Sequence, residues 1–468
     1  MSSRERQGRV PMQRVALVAP RGALRAMLVE VADAGVVDLD EPPTTEIAPG
    51  IAGEELARRG IRCEQVVPLV AHDELDPDAL AGAAAQLVAG DVELERKAAA
   101  AIPHGRVAAL LGWVPAAALN DLRTRIEPRG AAAVALPVPV GVEPPTLLAP
   151  ERRSAPFRVL VDTYGTVRYE DVDPTPFAAV AFGVMFGMMF GDVGRGLLLL
   201  ALGLWARTGR GLIGRLRPGW ALIVTAGGAA LVFGFAYGEF FGPTGVLPSL
   251  WLVPLDEPVR LLIAAILVGA VLLGASNVIG AVNRWHEGGW RYAVYEPSGI
   301  GGMCTYAGLG MIVLGVYEHI DPMTLAGALL VVVGVTLVFA GRFVAGGGHG
   351  AGFAQASVES VDGVIRVGAN VVSFARLAAF GLTAAAIGSV VWDGTTALWR
   401  PGLVALGAVL LFVVGNLVAF ALEGLVVGVQ ALRLEYYELF SRIFGEEGRP
   451  FRPWHVAVAN VDKVREAS

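Results

Sequence analysis

The chain has 468 residues, 54% of them hydrophobic and only 17% charged, with a formal net charge of -6 and a mean hydropathy of +0.57. Soluble domains carry about a quarter charged residues, so this balance argues for a membrane, and the modest acidic excess offers nothing to nucleic acid. Cys63 and Cys304 lie far apart, without metal-ligand spacing. Lys97 and Lys463 are the only lysines, and neither has the Gly-Lys-Ser/Thr setting of a phosphate-binding loop, so no nucleotide site and no cofactor is expected.

Residues 1–10 are polar and lack the apolar core of a signal peptide. The ordinary pattern starts at Met12, and residues 1–11 read as an extension. Residues 14–40 read as strand, helix, strand: "RVALVA" is a β-branched run, "RGALRAMLVEVADAG" has helical apolar spacing, and "VVDL" is a second strand. The alanine-rich stretch 75–101 suits one long, weakly amphipathic helix. "VAALLGWVP", "AAALNDLRTRIEPRG" and "AAVALPVPV" repeat the strand, helix, strand order, and the proline-rich stretch 137–150 reads as a linker or edge segment. A small α/β cytosolic domain over residues 1–172 is expected.

Past Asp173-Pro174-Thr175-Pro176 the composition changes abruptly. Apolar blocks run at 177–206, 219–241, 257–282, 298–317, 322–345, 354–392 and 401–444, each long enough for a hydrocarbon core of about 30 Å, which takes roughly 20 residues. The first is generous for one crossing and tight for two, and "GDVGRG" at 191–196 offers a break in its middle. Loop charge favours that break. With it, Arg207, Arg210, Arg215 and Arg217 face the cytoplasm together with Arg284, Arg291, Arg342 and the tail arginines, while the loops 247–257 and 318–321 carry no Lys or Arg. The expected fold is an α-helical polytopic membrane domain over residues 173–454, with about eight transmembrane helices, the last two long and tilted. A cytosolic tail follows at 455–468, so both termini are cytoplasmic, and the cell membrane is the expected location.

Ionisable side chains inside apolar blocks are costly and are therefore the first candidates for function. In block 354–392, Glu359, Asp362, Arg366, Asn370, Ser373 and Arg376 fall on one broad helical stripe. In block 401–444, Glu423, Gln430, Arg433 and Tyr437 follow at i, i+7, i+10 and i+14, again one face. A plainer explanation competes for several of them: Arg366, Arg433 and Glu435 could snorkel to a cytoplasmic interface, and Glu359 could be a solvated helix start. That explanation fails for Arg376, which has roughly ten residues of plain apolar helix beyond it and cannot reach water by snorkelling alone. A structural salt bridge to Glu423 remains its rival.

Several segments then resemble, in order, the signatures of V-type ATPase subunit I, called subunit a in eukaryotes. They are "PPTLL", "YGTVRYEDVDPTPF" and "FGMMFGDVGRGLLL" within 144–200, "YGEFFG" at 237–242, "NVVSFARLAAFGL" at 370–382, "LEGLVVGVQALRLEYYELFSRIF" at 422–444, and "GRPFRPW". "MQRVALVAPRGALRAMLVEVADAGVVDL" and "LLGWVP" resemble the family more weakly. The resemblance implies a stator wall packed in lipid against a rotating proteolipid c-ring, each ring subunit carrying one membrane carboxylate. Other rotary ATPase subunits, a peripheral stalk among them, would complete the machine and handle ATP.

By matching position, Arg376 of "SFARL" would face the ring and separate two half-channels for protons. Arg433 of "ALRL" would be a second arginine near that interface, and Glu423 of "LEGL" a channel residue. Gln430 and Tyr437 would line a half-channel with Glu423, and Glu359, Asp362, Asn370 and Ser373 are further lining candidates. Three departures are visible. The stretch 67–108 holds little more than one helix where the family has a coiled-coil arm and a distal lobe gripping the stalk. Arg195 stands where an aromatic or His is common, and Glu435 where His is common. Two other classes stay open: a secondary transporter, which predicts internal repeats that the two halves do not display, and a non-conducting assembly scaffold, motivated by the shortened arm.

Overall fold

The computed structural model describes residues 9–40, 52, 54, 58, 69–70, 85–139, 141–148, 155–347, 349–445, 448–456 and 458–459. Most of the expected extension 1–11, the first part of the helix expected at 75–101, Cys63, and most of the tail 455–468 with Lys463 lie outside the described residues. The chain packs as two compact units, Met1–Ala149 with Gly448–Ser468, and Pro150–Glu447. Packing therefore divides the chain at 150 and 448, where hydropathy divides it at 173 and 455.

The first unit runs through β1 (Met12–Pro20), α1 (Leu24–Ala34), β2 (Asp38–Leu39), β3 (Leu69–Val70), α2 (Ala85–Ala99), β4 (Ile102–His104), β5 (Val107–Pro115), α3 (Leu119–Ile126) and β6 (Ala132–Ala135). Its main sheet has the order β2-β5-β1-β6, with β4 on β5. All of its pairings are antiparallel, from Met12 opposite Pro115 to Pro20 opposite Val107 along β1 and β5. The two strand, helix, strand stretches read from the sequence thus interleave as split βαβ units in one sheet. Alternate residues of β1, Val15, Leu17 and Ala19, point into the core, where Met27, Leu28 and Val31 of α1 and Leu122 and Ile126 of α3 cover them. Burying each such aliphatic side chain contributes about 1.5–3 kcal/mol. α1 ends on Gly35 at φ 59°, a left-handed cap that suits glycine. β7 (Val458–Ala459) lies parallel to β3.

The segment 449–456 is tied to this sheet. Arg449 reaches Asp40 at 3.1 Å and Asp38 at 3.4 Å, Arg14 reaches Asp40 at 3.0 Å, and the Trp454 amide donates to the Val37 carbonyl at 2.8 Å. Burial pushes the Asp38 carboxyl above its ordinary range, and the Arg449 guanidinium only partly offsets that. The folded unit therefore holds this proton at pH values where the unfolded chain has released it. The contribution of Asp38 is fully favourable below the ordinary Asp range and falls as pH rises through the folded value. Arg449→Ala removes the opposing cation and should steepen that fall, and Asp38→Asn should flatten it. Thermal unfolding followed from about pH 4 to about pH 7 checks both.

The second unit is helical: α4 (Arg158–Tyr164), α5 (Thr175–Met189), α6 (Val193–Arg207), α7 (Trp220–Tyr237), α8 (Pro258–Tyr295), α9 (Ile300–Tyr317), α10 (Asp321–Ala345), α11 (Gly350–Ser373), α12 (Ala375–Leu398) and α13 (Leu403–Leu434). α13 is continued by a π-helical turn, Glu435–Phe440, and by the short α14 (Ser441–Ile443). Among the described residues, six stretches are long and apolar enough to cross a membrane: Gly214–Tyr237, Pro258–Glu287, Gly289–Tyr317, Asp321–Ala345, Gly352–Leu398 and Val404–Ile443. The fold is thus a polytopic helical membrane domain with a small α/β domain.

The expected break in the first apolar block is present. α5 and α6 have 15 residues each, about 22 Å at 1.5 Å per residue, and Asp192 caps α6 by accepting the Arg195 amide at 2.9 Å. Small residues set the helix spacing: a Cβ on Gly308 of α9 would come within 2.7 Å of the Gly327 carbonyl of α10, and one on Gly196 of α6 within 2.9 Å of the Leu231 amide of α7. The block 354–392, read as one apolar run, is two helices meeting at Phe374.

Candidate functional site

Phe374 is fully buried, with its ring pressed onto Gly269 of α8, where any Cβ would overlap it. It takes the turn between α11 and α12, and Arg376 stands in the first turn beyond it. The Arg376 side chain is half-buried, and its Nη1 is buried without a hydrogen-bond partner. Among the described residues it forms no ion pair. The partial positive charge of a helix N-terminus adds to this cation and does not neutralise it. An unpaired guanidinium in such a place costs several kcal/mol unless an anion is supplied from elsewhere.

The rival salt bridge between Arg376 and Glu423 does not form, because Glu423 belongs to another partner. Arg195 Nη1 donates to Glu423 Oε2 at 2.5 Å, and Arg195 Nη2 donates to Asn416 Oδ1 at 3.3 Å. Arg195, Asp192 and Glu423 are all buried. Asp192 also accepts the Phe241 amide at 3.0 Å and the Gly242 amide at 2.7 Å, which pins the loop after α7 over the break between α5 and α6. The polar core of this second cluster therefore comes from α6, the α7–α8 loop and α13. Glu423 sits in an enclosed ion pair and not on an open polar face.

A third group lies around a cavity of about 570 Å³ between α9, α10, α11 and the end of α13, lined by Glu359, Asp362, Arg366, Asn370 and Tyr437 together with Glu296, Arg342 and Arg442. Arg342 bridges two carboxylates, Glu359 at 3.3 Å and Glu296 at 3.9 Å, while Asp362 and Arg366 pair along one exposed helical face. With its amide oriented to satisfy every neighbour, Asn370 donates to the Arg366 carbonyl at 3.1 Å and to Glu438 at 3.3 Å, and accepts from Arg442 at 3.0 Å. Water fits such a space, which offers several donors and acceptors.

Of the residues singled out from the sequence, the cavity gathers Glu359, Asp362, Arg366, Asn370 and Tyr437, the last 70% exposed. Glu423 is apart from them in the Arg195 cluster. Ser373 bonds back to the Ala369 carbonyl at 3.1 Å, Arg433 is exposed, and the Gln430 Oε1 is buried without a partner. The i, i+7, i+10, i+14 stripe is thus divided among different environments: Glu423 meets Arg195 of α6, Arg433 is exposed, and only Tyr437 falls in the π turn Glu435–Phe440. Glu435 is 0% exposed and neither of its carboxylate oxygens has a partner.

Asp192, Glu239 and Asn416 belong to the site although the helical stripes do not single them out, and Arg195 stands out in the sequence only as a departure from the family pattern. A signal for them exists: Asp192, Arg195 and Glu239 are charges set into or beside long apolar runs.

Residues 103–245 match the V-type ATPase 116kDa subunit family. The chain is 28% identical over 405 residues to the A-type ATP synthase subunit I of Archaeoglobus fulgidus, an alignment covering 74% of this chain and 58% of that protein. It is 28% identical over 368 residues to the A-type ATP synthase subunit I of Aeropyrum pernix, covering 68% of this chain and 51% of that protein. It is 36% identical over 143 residues to the human V-type proton ATPase 116 kDa subunit a 3, covering 28% and 17%. The chain spans about half the length of the archaeal relatives it matches.

Proposed function

We propose, for a chain whose residues 103–245 match the V-type ATPase 116kDa subunit family, that it is the membrane stator of a rotary ATPase and passes protons to and from carboxylates on a rotating proteolipid c-ring. The observation that carries this reading is Arg376, a half-buried guanidinium that no described residue neutralises. Its charge persists at any relevant pH. A ring carboxylate brought beside it is stabilised as the anion and gives up its proton, whereas in lipid the same group is tolerable only when neutral. A fixed cation therefore sorts protonated from deprotonated carriers and keeps two aqueous paths from joining. Each proton crossing 100 mV yields about 2.3 kcal/mol, so a turn needs several.

In this reading the cavity with Glu359, Asp362, Asn370 and Tyr437 is one water-filled path, with Ser373 farther along α11. The other runs past Glu423 and Gln430, with Arg433 as a second cation on the exposed face of α13. The partners are the ring, other rotary subunits and the peripheral stalk, with membrane lipid around them. The chain would cross the cell membrane several times with both termini cytoplasmic.

ATP-driven proton uptake into vesicles carrying the complex with Arg376→Ala tests the central role, and parental uptake by that variant removes it. Water in the cavity has a separate check. In a chain lacking Cys63 and Cys304, a cysteine at Tyr437 or Asp362 should react readily with a membrane-impermeant thiol reagent. A cysteine at Asn416 should resist it.

A further inference from the structure

The chain passes between its two compact units twice, leaving the first at Ala149 and re-entering it at Gly448. The stretches beside these two crossings are sewn together. The Thr146 amide donates to the Arg449 carbonyl at 2.8 Å, and the Phe451 amide donates to the Thr146 carbonyl at 3.1 Å, so that Thr146 and Pro450 form a parallel bridge. On one side of this pair the Val10 amide donates to the Leu147 carbonyl at 2.9 Å. On the other, the returning segment is fastened along the end of the sheet. The Arg452 amide donates to Asp38 at 3.4 Å, and the Trp454 and Val456 amides donate to the Val37 and Ala32 carbonyls at 2.8 and 3.2 Å. Val456 is buried in the same core as Met27 and Leu122.

One covalent crossing is a swivel, since every residue in it keeps two soft dihedral angles. Two crossings whose ends are bonded side by side cannot turn about either one alone. A twist applied to the helical unit therefore reaches the sheet as a load shared by both strands. Their hold is mainly the backbone ladder and burial: Thr146 is itself buried, and a buried backbone group is costly to unpair. Arg449 adds its ion pairs to Asp38 and Asp40, but its side chain is 42% exposed, and such pairs contribute little by themselves.

We infer that the segments 144–148 and 448–456 form a load-bearing strap, through which the reaction of the membrane helices to a turning ring is carried into the α/β unit. The inference rests on the stator reading above and adds to it a mechanical role for the segment after the last membrane helix. Protons pass only as the ring turns relative to the stator wall. A wall that yields and follows the ring passes fewer of them per turn, so the strap sets how tightly ATP hydrolysis is coupled to proton uptake.

The test measures ATP hydrolysis and proton uptake together, in vesicles containing the whole complex, against a series of opposing membrane potentials. A flexible Gly/Ser insert of about ten residues between Glu447 and Gly448 slackens one crossing and leaves the contacts of the strap in place. Hydrolysis should persist while the protons delivered per ATP fall, and the loss should grow with the opposing potential, because each proton then resists the ring harder. The same insert after Ala459 lies beyond the strap and should keep the parental ratio. A parental ratio for the first insert at every potential overturns the inference, and so does an equal loss from both inserts. Hydrolysis lost in step with uptake, at an unchanged ratio, also overturns it. Should the first insert prevent assembly, Arg449→Ala with Trp454→Ala loosens the strap at constant chain length, and a parental ratio for that variant is decisive against it. Arg376→Ala, run in parallel, addresses the stator reading: parental uptake there sinks that reading itself, which separates the two failures.

Discussion

In the proposed stator role, Arg376→Ala should abolish coupled proton uptake while leaving the subunit folded in the membrane. The size of the loss comes from electrostatics. An opposite charge within about 4–6 Å lowers a carboxyl's pKa by about 1–3 units, so without the guanidinium the deprotonated carrier is about ten- to a thousandfold scarcer at the stator. Arg376→Lys keeps a charge but loses the planar fork and invites deprotonation on burial, so it should retain only part of the activity. Folding should not suffer in either variant. Among the described residues Arg376 has no partner to orphan, its Nη1 being buried and unpaired, and removing an uncompensated charge tends to stabilise. Uptake and thermal unfolding measured on the same preparation separate the two effects.

Glu423→Leu should behave in the opposite way, with a large loss of stability. It leaves the fully buried Arg195 without its 2.5 Å partner, and breaking a buried ion pair from one side costs about 3–5 kcal/mol. Replacing both residues, as Arg195→Met with Glu423→Leu, should recover most of that loss, because two well-packed apolar side chains substitute for a buried pair at little cost. A double-mutant cycle from thermal or denaturant unfolding reads the coupling directly. Additive effects would mean that the pair is solvated and not enclosed. Proton uptake by the double variant then reports separately whether the charge pair is needed for transport.

The contrast between these two arginines shows where sequence reasoning reached and where it stopped. Arg376 was legible because a guanidinium followed by long apolar helix has no cheap explanation. The break at Asp192 was legible from "GDVGRG" and from loop charge, and the two strand, helix, strand stretches from their periods of 2 and 3.6. The division of the polar stripe on α13 was not legible, since Glu423 is taken by Arg195, a residue 228 positions away that helical spacing does not register. Nor was the turn at Phe374, whose ring rests on a glycine of another helix, Gly269.

Composition and periodicity by themselves determined that this chain has a small α/β domain and a long helical membrane domain, and they picked out the cation at 376, because hydropathy and helical phase are local properties. Only the tertiary structure decided which acid meets which base. Arg195 and Glu423 are 228 positions apart, and they meet only once the chain folds, Arg195 in the first turn of α6 and Glu423 on α13. That distance in sequence is why hydropathy and helical phase, which are local, could not pair Glu423 with Arg195.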